Sequence, residues 1–196
     1  MSGRQNQSRK LSEFKTPEPD LLRAQSAAIG FIGDILTDPF GAGGLLTLCG
    51  VSGTGKTMLA NIVLTELRLN PWGCCERIEP RIHRGKVERF TARLFDMRKV
   101  SDGFKQGNYG VVDRMEELDL CVLDDVGADH DPSKVTASKV DRVLRSRKNR
   151  WTIVTCNLSL KEIGEKLDAR IASFMIRDDN RFVEIKAMDY AKRRHL

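Results

Sequence analysis

Eight consecutive residues, Gly50-Val51-Ser52-Gly53-Thr54-Gly55-Lys56-Thr57, combine three glycines with a lysine and a hydroxyl. Glycines let the backbone curl until successive N–H groups point inward, which makes a cradle for an anion. In this spacing, G-x-x-x-x-G-K-T, Lys56 is placed to neutralise the β- and γ-phosphates of a nucleoside triphosphate. Thr57 is placed to ligate magnesium through its hydroxyl. Met58 belongs to the helix that follows, whose N-terminal dipole adds positive potential to the same cradle.

Such a cradle calls for a carboxylate at the tip of a neighbouring strand, and Leu120-Cys121-Val122-Leu123-Asp124-Asp125 supplies two. Asp124 is the expected magnesium ligand, directly or through water, and Asp125 the group that polarises an attacking water. Many ATPases carry Glu at the second position, and Asp is one methylene shorter. A further apolar run, Ile153-Val154-Thr155-Cys156-Asn157, ends beside that tip, where the Asn157 amide helps orient the water. Asn after a strand is also an ordinary turn residue.

These groups need elements to hold them. Thr16-Pro17-Glu18-Pro19-Asp20 is a helix start signal, and Leu21, Leu22, Ala27, Ile29, Ile32 and Ile35 follow with roughly helical spacing. Leu45–Cys49 reads as a buried parallel strand, and Met58–Leu69 as the helix after the glycine turn. Asn70-Pro71-Trp72-Gly73 closes that helix. Val87–Thr91 is the expected second strand, with Ala92–Phe104 as its helix. Val111–Glu117 is a short helix that leads into the strand Leu118–Val126. Ser133–Lys148 is helical with a basic outer face, Trp151–Cys156 a strand, Leu158–Met175 helical again and Phe182–Ile185 a last strand. Alternating strands and helices predict a three-layer α/β fold with a mostly parallel sheet.

The 196 residues fit one α/β domain, with 40% hydrophobic and 31% charged residues, an ordinary mix for a soluble chain with a packed core. Residues 1–15 read as a flexible basic tail and 16–196 as one domain without a separate lid. No apolar run approaches the roughly 20 residues needed to cross a bilayer, and the basic start lacks a secretory signal, so a cytoplasmic protein is expected. Cys49, Cys121 and Cys156 lie in apolar runs and read as small core residues, whereas Cys74-Cys75 is a vicinal pair. Neither arrangement is a disulfide framework. A metal site from Cys74, Cys75 and His83 is a minor alternative, because such sites normally use C-x-x-C pairs.

The motifs G-V-S-G-T-G-K-T-M-L-A (Walker A), L-D-L-C-V-L-D-D-V-G (Walker B), T-I-V-T-C-N-L-S-L-K-E-I and L-D-A-R-I-A-S occur in that order. They resemble the AAA+ ATPases of the DnaC/IstB clade, bacterial and phage helicase loaders with transposition helper ATPases as relatives. The likeness runs from about residue 40 to about residue 190. The double aspartate followed by Gly127, and the Thr-x-Asn-Leu run, set it apart from kinases, ABC proteins and small GTPases. The resemblance implies a P-loop NTPase fold with a five-stranded sheet of order 5-1-4-3-2. It also implies ATP with Mg2+ as cofactors and Asn157 as sensor 1. As partners it implies further copies of the chain in a ring or spiral, single-stranded DNA and a replicative helicase in DNA replication.

The chain departs from the family after sensor 1. The usual pattern is approximately D-x-R-I-x-S-R-L, and its last arginine reaches the neighbouring subunit's ATP. Here Asp168-Ala169-Arg170-Ile171-Ala172-Ser173-Phe174-Met175 keeps the first arginine as Arg170 and puts Phe174 at the finger position. An arginine that stabilises transition-state charge in trans is worth several orders of magnitude in rate, so ATP hydrolysis is expected to be weak unless Arg170 or Arg177 substitutes. Two basic clusters are candidate contacts for nucleic acid: Arg77, Arg81, His83, Arg84, Lys86 and Arg89, and Arg142, Arg145, Arg147, Lys148 and Arg150. Neither has the interleaved aromatics of a stacking platform, and a solvated face is the plainer reading of each. The segment Tyr190–Leu196, with Lys192, Arg193 and Arg194, is a further candidate contact. An ATP-gated adaptor and, more remotely, a small-molecule kinase are the competing functional classes.

Overall fold

The computed structural model describes residues 11, 14, 18–69, 73–128, 134–177, 179–187 and 189. Its elements in chain order are α1 (Pro19–Thr37), β1 (Gly44–Gly50), α2 (Lys56–Glu66), β2 (Arg81–His83), β3 (Lys86–Glu88), β4 (Ala92–Asp96), α3 (Met97–Lys105), α4 (Gly110–Glu117), β5 (Leu120–Val126), α5 (Val135–Ser146), β6 (Trp151–Cys156), α6 (Leu160–Glu162), a π-helical turn (Ile163–Leu167), α7 (Ala169–Met175) and β7 (Arg181–Ile185). Most of the expected tail, the closing turn at Asn70-Pro71-Trp72 and the Tyr190–Leu196 segment lie outside the described residues.

The main sheet is parallel, in the order β4-β5-β6-β1-β7. Chain numbering here includes the hairpin strands β2 and β3, which form a separate two-stranded sheet. Counting only the main-sheet strands and reading from the other edge, the same arrangement is 5-1-4-3-2. β5 and β6 are buried almost throughout, as the continuous apolar runs require when both faces of a strand are covered. Residue alternation divides the core in two. Leu46, Leu48, Leu120, Val122 and Ile153 face α1 and α2, whereas Leu45, Cys49, Cys121, Leu123, Val154 and Cys156 face α3, α4, α5 and α7. This is the three-layer α/β arrangement.

Two expectations need correction and a third is refined. The second strand of the main sheet is Ala92–Asp96, not Val87–Thr91. Arg84 and Gly85, with φ of 51° and 73°, turn the chain into the β2–β3 hairpin, and the Thr91 hydroxyl and amide then bond the Asp119 carboxylate just before β4 starts. The helix expected from Ala92 consequently begins at Met97, where the Asp96 carboxylate accepts from the Arg98 amide at 3.1 Å. The stretch expected to be helical over Leu158–Met175 is helical from Leu160 to Met175 apart from Asp168, in three pieces. A Ser159/Glu162 capping box starts α6, and Asp168, in extended conformation, ends the π turn and caps α7.

The metal alternative is also overturned. The Cys75 thiol donates to the Leu67 carbonyl, His83 sits on the hairpin beside Glu88, and no metal-binding group of three forms among the described residues. Cys49, Cys121 and Cys156 are buried, as expected. Burial pushes the Cys49 and Cys121 thiols up to about 12 and Cys156 to about 11.

The second basic cluster is largely consumed within the fold. Arg142 pairs with Asp113 and Glu116, Arg145 with Asp141, and Arg150 donates to the carbonyls of Glu117 and Leu118. Arg147 is 2% exposed. Its guanidinium donates to the carbonyls of Met115 (2.7 Å), Leu118 (2.6 Å), Asp119 (3.2 Å) and Trp151 (2.5 Å) and to the Thr152 hydroxyl (3.0 Å). Burial lowers its pKa to about 10. The side chain thus ties the end of α4 and the two residues before β5 to the first residues of β6. Arg147→Ala strands several buried acceptors at once, and each such group costs about 1–3 kcal/mol. The expected loss is about 3–5 kcal/mol by urea unfolding; a loss under about 1 kcal/mol would show that water replaces the donors.

Candidate functional site

Parallel strands release their C-terminal ends at one edge of a sheet, and there the chemistry-bearing residues meet. β1 ends at Gly50, whose φ is 117°, and a Cβ there would lie 2.1 Å from the Ile185 carbonyl oxygen of β7. Only glycine admits this approach. The chain curls through Val51, Ser52, Gly53 and Thr54 to Gly55, which is left-handed (φ 95°) and caps α2. Lys56 is 4% exposed and donates to the carbonyls of Gly50 (2.9 Å) and Val51 (2.7 Å), with the Thr54 hydroxyl at 3.4 Å. Burial pushes its ammonium below the ordinary lysine value, opposed by the charges of Asp125 and Asp124. Met58 follows in the first turn of α2, half-buried against the core.

Alternation along β5 puts Asp124 on the same face as Leu120 and Val122, toward α2. Its Oδ1 accepts from the Thr57 hydroxyl at 2.9 Å and from the Thr155 hydroxyl at 2.6 Å. Asp124 is buried, which pushes its carboxyl above the usual aspartate value against the lowering effect of the Thr155 and Thr57 hydrogen bonds. Thr57 and Asp124 therefore present two hard oxygen donors to one point, the donor type that magnesium prefers.

The β5–β6 register shifts between Leu123 and Val126, and Asp125 adopts a φ of 60° inside that bulge. The bulge re-aims the side chain out of the sheet plane. Its amide donates to the Thr155 hydroxyl (2.9 Å), its Oδ1 accepts from the Asn157 amide (3.1 Å), and its Oδ2 is paired with the Arg98 guanidinium. The carboxylate expected to polarise water and the amide expected to orient it are thus in direct contact. Arg98 was not legible as a partner from its own sequence position. The clue lies in the sheet register, which sets Asp96 beside Asp124 and brings the start of α3 to the acidic tip.

Among the described residues no hydrogen bond or ion pair ties Arg170 to these groups. Its side chain is mostly exposed, with Asp168 at 3.9 Å, and among the described residues it forms no hydrogen bond or ion pair with the glycine loop. Phe174 packs half-buried against the core on the α3, α4, α5 and α7 side of the sheet, with the Arg177 guanidinium 5.5 Å from its ring centre.

Two contacts on the loop have no sequence signature. Leu11 and Phe14, from the expected tail, are tied down: Gln25 donates to both carbonyls and the Leu11 amide donates to Glu66. Phe14 is buried, and its ring lies 3.0 Å from where a Cβ on Gly55 would be. The Asp189 carboxylate is packed flush on Gly53, with a Cβ there 2.3 Å from its Oδ2.

No family model matches the chain, and no curated protein matches it. Solved structures do. DnaI superposes with a TM-score of 0.70 at 20% identity, over 90% of this chain and 90% of that one. The DnaC helicase loader gives 0.67 at 21% identity, over 90% and 96%. The replication initiator DnaA bound to AMPPCP and single-stranded DNA gives 0.63 at 16% identity, over 92% of this chain and 51% of that one. The chain has the AAA+ P-loop NTPase fold of these proteins.

The raised Asp124 carboxyl has a measurable consequence. The folded chain holds that proton more tightly than the unfolded chain, so the associated stability is present in acid and lost as pH rises from 3.8 through the raised value. Asn keeps the acceptor for both hydroxyls without the charge. Without nucleotide, Asp124→Asn is expected to melt above wild type near neutral pH, with the gap closing toward about pH 4. Thermal melts across that range check it; a gap that widens in acid contradicts it.

Proposed function

We propose that this chain is an ATP-binding AAA+ protein of the helicase-loader kind, which couples ATP binding and hydrolysis to single-stranded DNA and a replicative helicase in DNA replication. One observation carries the reading: Thr57 of the glycine loop bonds Asp124 at 2.9 Å while the next residue, Asp125, bonds Asn157 at 3.1 Å. Phosphate cradle, metal ligands, water-polarising carboxylate and sensor amide occupy one sheet edge in the order the chemistry needs. The structural neighbours, a helicase loader and an initiator bound to AMPPCP and single-stranded DNA, support the choice among P-loop functions.

In this reading the amides from Val51 to Met58 surround the phosphates of ATP, and Lys56 exchanges its loop carbonyls for phosphate oxygens. Thr57 and Asp124 hold Mg2+, whose charge offsets that of the triphosphate. Asp125 receives the proton of the attacking water, and Asn157 fixes both water and carboxylate in place. Arg170 or Arg177 of a neighbouring copy reaches the site in a ring or spiral. Residues 16–196 form the single ATPase domain, working in the cytoplasm; among the described residues no helix is long and apolar enough to cross a membrane.

A second reading, an ATP-gated adaptor or transposition-helper ATPase with little intrinsic hydrolysis, is favoured by two observations. Phe174 occupies the arginine-finger position and packs inward, and Arg98 neutralises Asp125.

Nucleotide binding and turnover, measured with and without single-stranded DNA alongside oligomeric state by light scattering, separate the readings. Lys56→Ala is expected to lower ATP affinity at least about tenfold, a loss of one charge-assisted phosphate contact. Wild-type turnover is expected to be slow and to rise with Phe174→Arg. Fast wild-type turnover that the substitution leaves unchanged would sink the claim of a crippled finger.

A further inference from the structure

The β2–β3 hairpin belongs to neither the phosphate site nor the core. Ile82 and Val87 face each other across its two strands and are 80% and 67% exposed. The turn at Arg84-Gly85, with both φ angles positive, is the tight form that matches strand twist. An isolated two-stranded hairpin is marginal in water, so its anchoring matters. The Arg81 guanidinium sits 4.2 Å from the Phe40 ring centre, Phe40 packs edge-on against buried Phe90 at 5.9 Å, and Arg81 also pairs with Glu88 at 2.8 Å. The arm is therefore fixed at its base and offered at its tip.

Its charges are unequal in their occupation. Glu88, the arm's one carboxylate, is taken by Arg81 and His83. Arg84, Lys86 and Arg89 are exposed, and among the described residues none of their side chains has a hydrogen-bond or ion-pair partner. Lys86 lies in β3 and Arg89 one residue past its end, three positions on, so along an extended chain their side chains leave opposite faces of the ribbon and serve phosphates on its two sides. The arm also stands before β4, at the N-terminal edge of the sheet, so an occupant there leaves the phosphate loop open.

We propose that this hairpin is a β-ribbon that enters a groove of duplex DNA. Arg84, Lys86 and Arg89 hold phosphates, and the Ile82–Val87 pair lies against sugars and base edges. A two-stranded ribbon fits the major groove, where apolar side chains meet thymine methyls, and exposed Ile serves as a wedge in bent duplexes. Single strands are a poorer fit, because the arm carries no aromatic platform. A protein partner is a poorer fit too: two small aliphatic side chains without Trp or Tyr make a weak anchor. The proposal rests on the replication reading above but names a different substrate, duplex rather than single-stranded DNA.

The test is fluorescence anisotropy with a labelled duplex of about 20 base pairs and its single strand, over a salt series. Wild type is expected to prefer the duplex. Removing three phosphate contacts in Arg84→Ala/Lys86→Ala/Arg89→Ala is expected to cost at least about tenfold in duplex affinity and to reduce the salt slope by about 2–3. Ile82→Ser/Val87→Ser is expected to lose affinity severalfold with the slope unchanged, and both variants should keep the wild-type melting temperature. A triple variant with wild-type duplex affinity and slope overturns the proposal, whereas its retained ATP and single-strand binding leaves the loader reading standing. Serine variants that bind the duplex like wild type overturn groove entry by the apolar pair. A wild-type chain that binds single strands but no duplex overturns the proposal alone; one that binds neither removes the DNA half of both.

Discussion

The functional edge of this fold is organised around one buried carboxylate. Asp124 sits between the hydroxyls of Thr57 and Thr155, so a single oxygen joins the glycine loop and α2 to the fourth main-sheet strand across the strand that carries it. A buried charge is tolerated only when hydrogen bonds replace its lost water. Two hydroxyls do so incompletely, which is why the carboxyl is pushed toward its neutral form. The same economy governs Lys56, which is buried on loop carbonyls rather than on an acid. Both groups are thus buried without an opposite charge bonded to them, a state suited to a site that accepts further charge.

The opposite edge shows the structural counterpart. Arg147 is buried as deeply as the site residues, but five oxygen acceptors saturate its guanidinium. It fixes where β5 and β6 begin, and the alternation along those strands then fixes which face Asp124 and Thr155 occupy at the other end. A slip of one residue would send Asp124 to the wrong face. Position at the site is therefore partly set by a contact at the far end of the strands that hold it.

Much of this was legible in the sequence because it is local. The loop, the Asp124-Asp125 tip and Asn157 each follow a continuous apolar run, and a fully buried strand announces itself in that form. The second main-sheet strand was misplaced because β-prone residues are scattered through Val87–Phe95, with Val87, Phe90 and Thr91 in its first half and Phe95 at its end. Only the Arg84-Gly85 turn shows that the first part folds back on β2. Arg147 reads as one more exposed charge until it is aligned with Val140, Val143 and Leu144; it falls on the same helical stripe, one turn further on. Phe14 and Asp189 had no such cue. Their contacts with Gly55 and Gly53 join distant parts of the chain, and neither residue type specifies that partner.

The cysteines carry a practical consequence. Thiolates, not thiols, attack electrophilic dyes, and burial keeps Cys49, Cys121 and Cys156 protonated and out of reach. Cys75 is buried too, with its sulfur engaged by the Leu67 carbonyl. Cys74 is half-exposed and bridges Thr91 at the root of the hairpin. A maleimide fluorophore should therefore settle first on that sulfur, giving the unmodified sequence its own spectroscopic handle beside the arm.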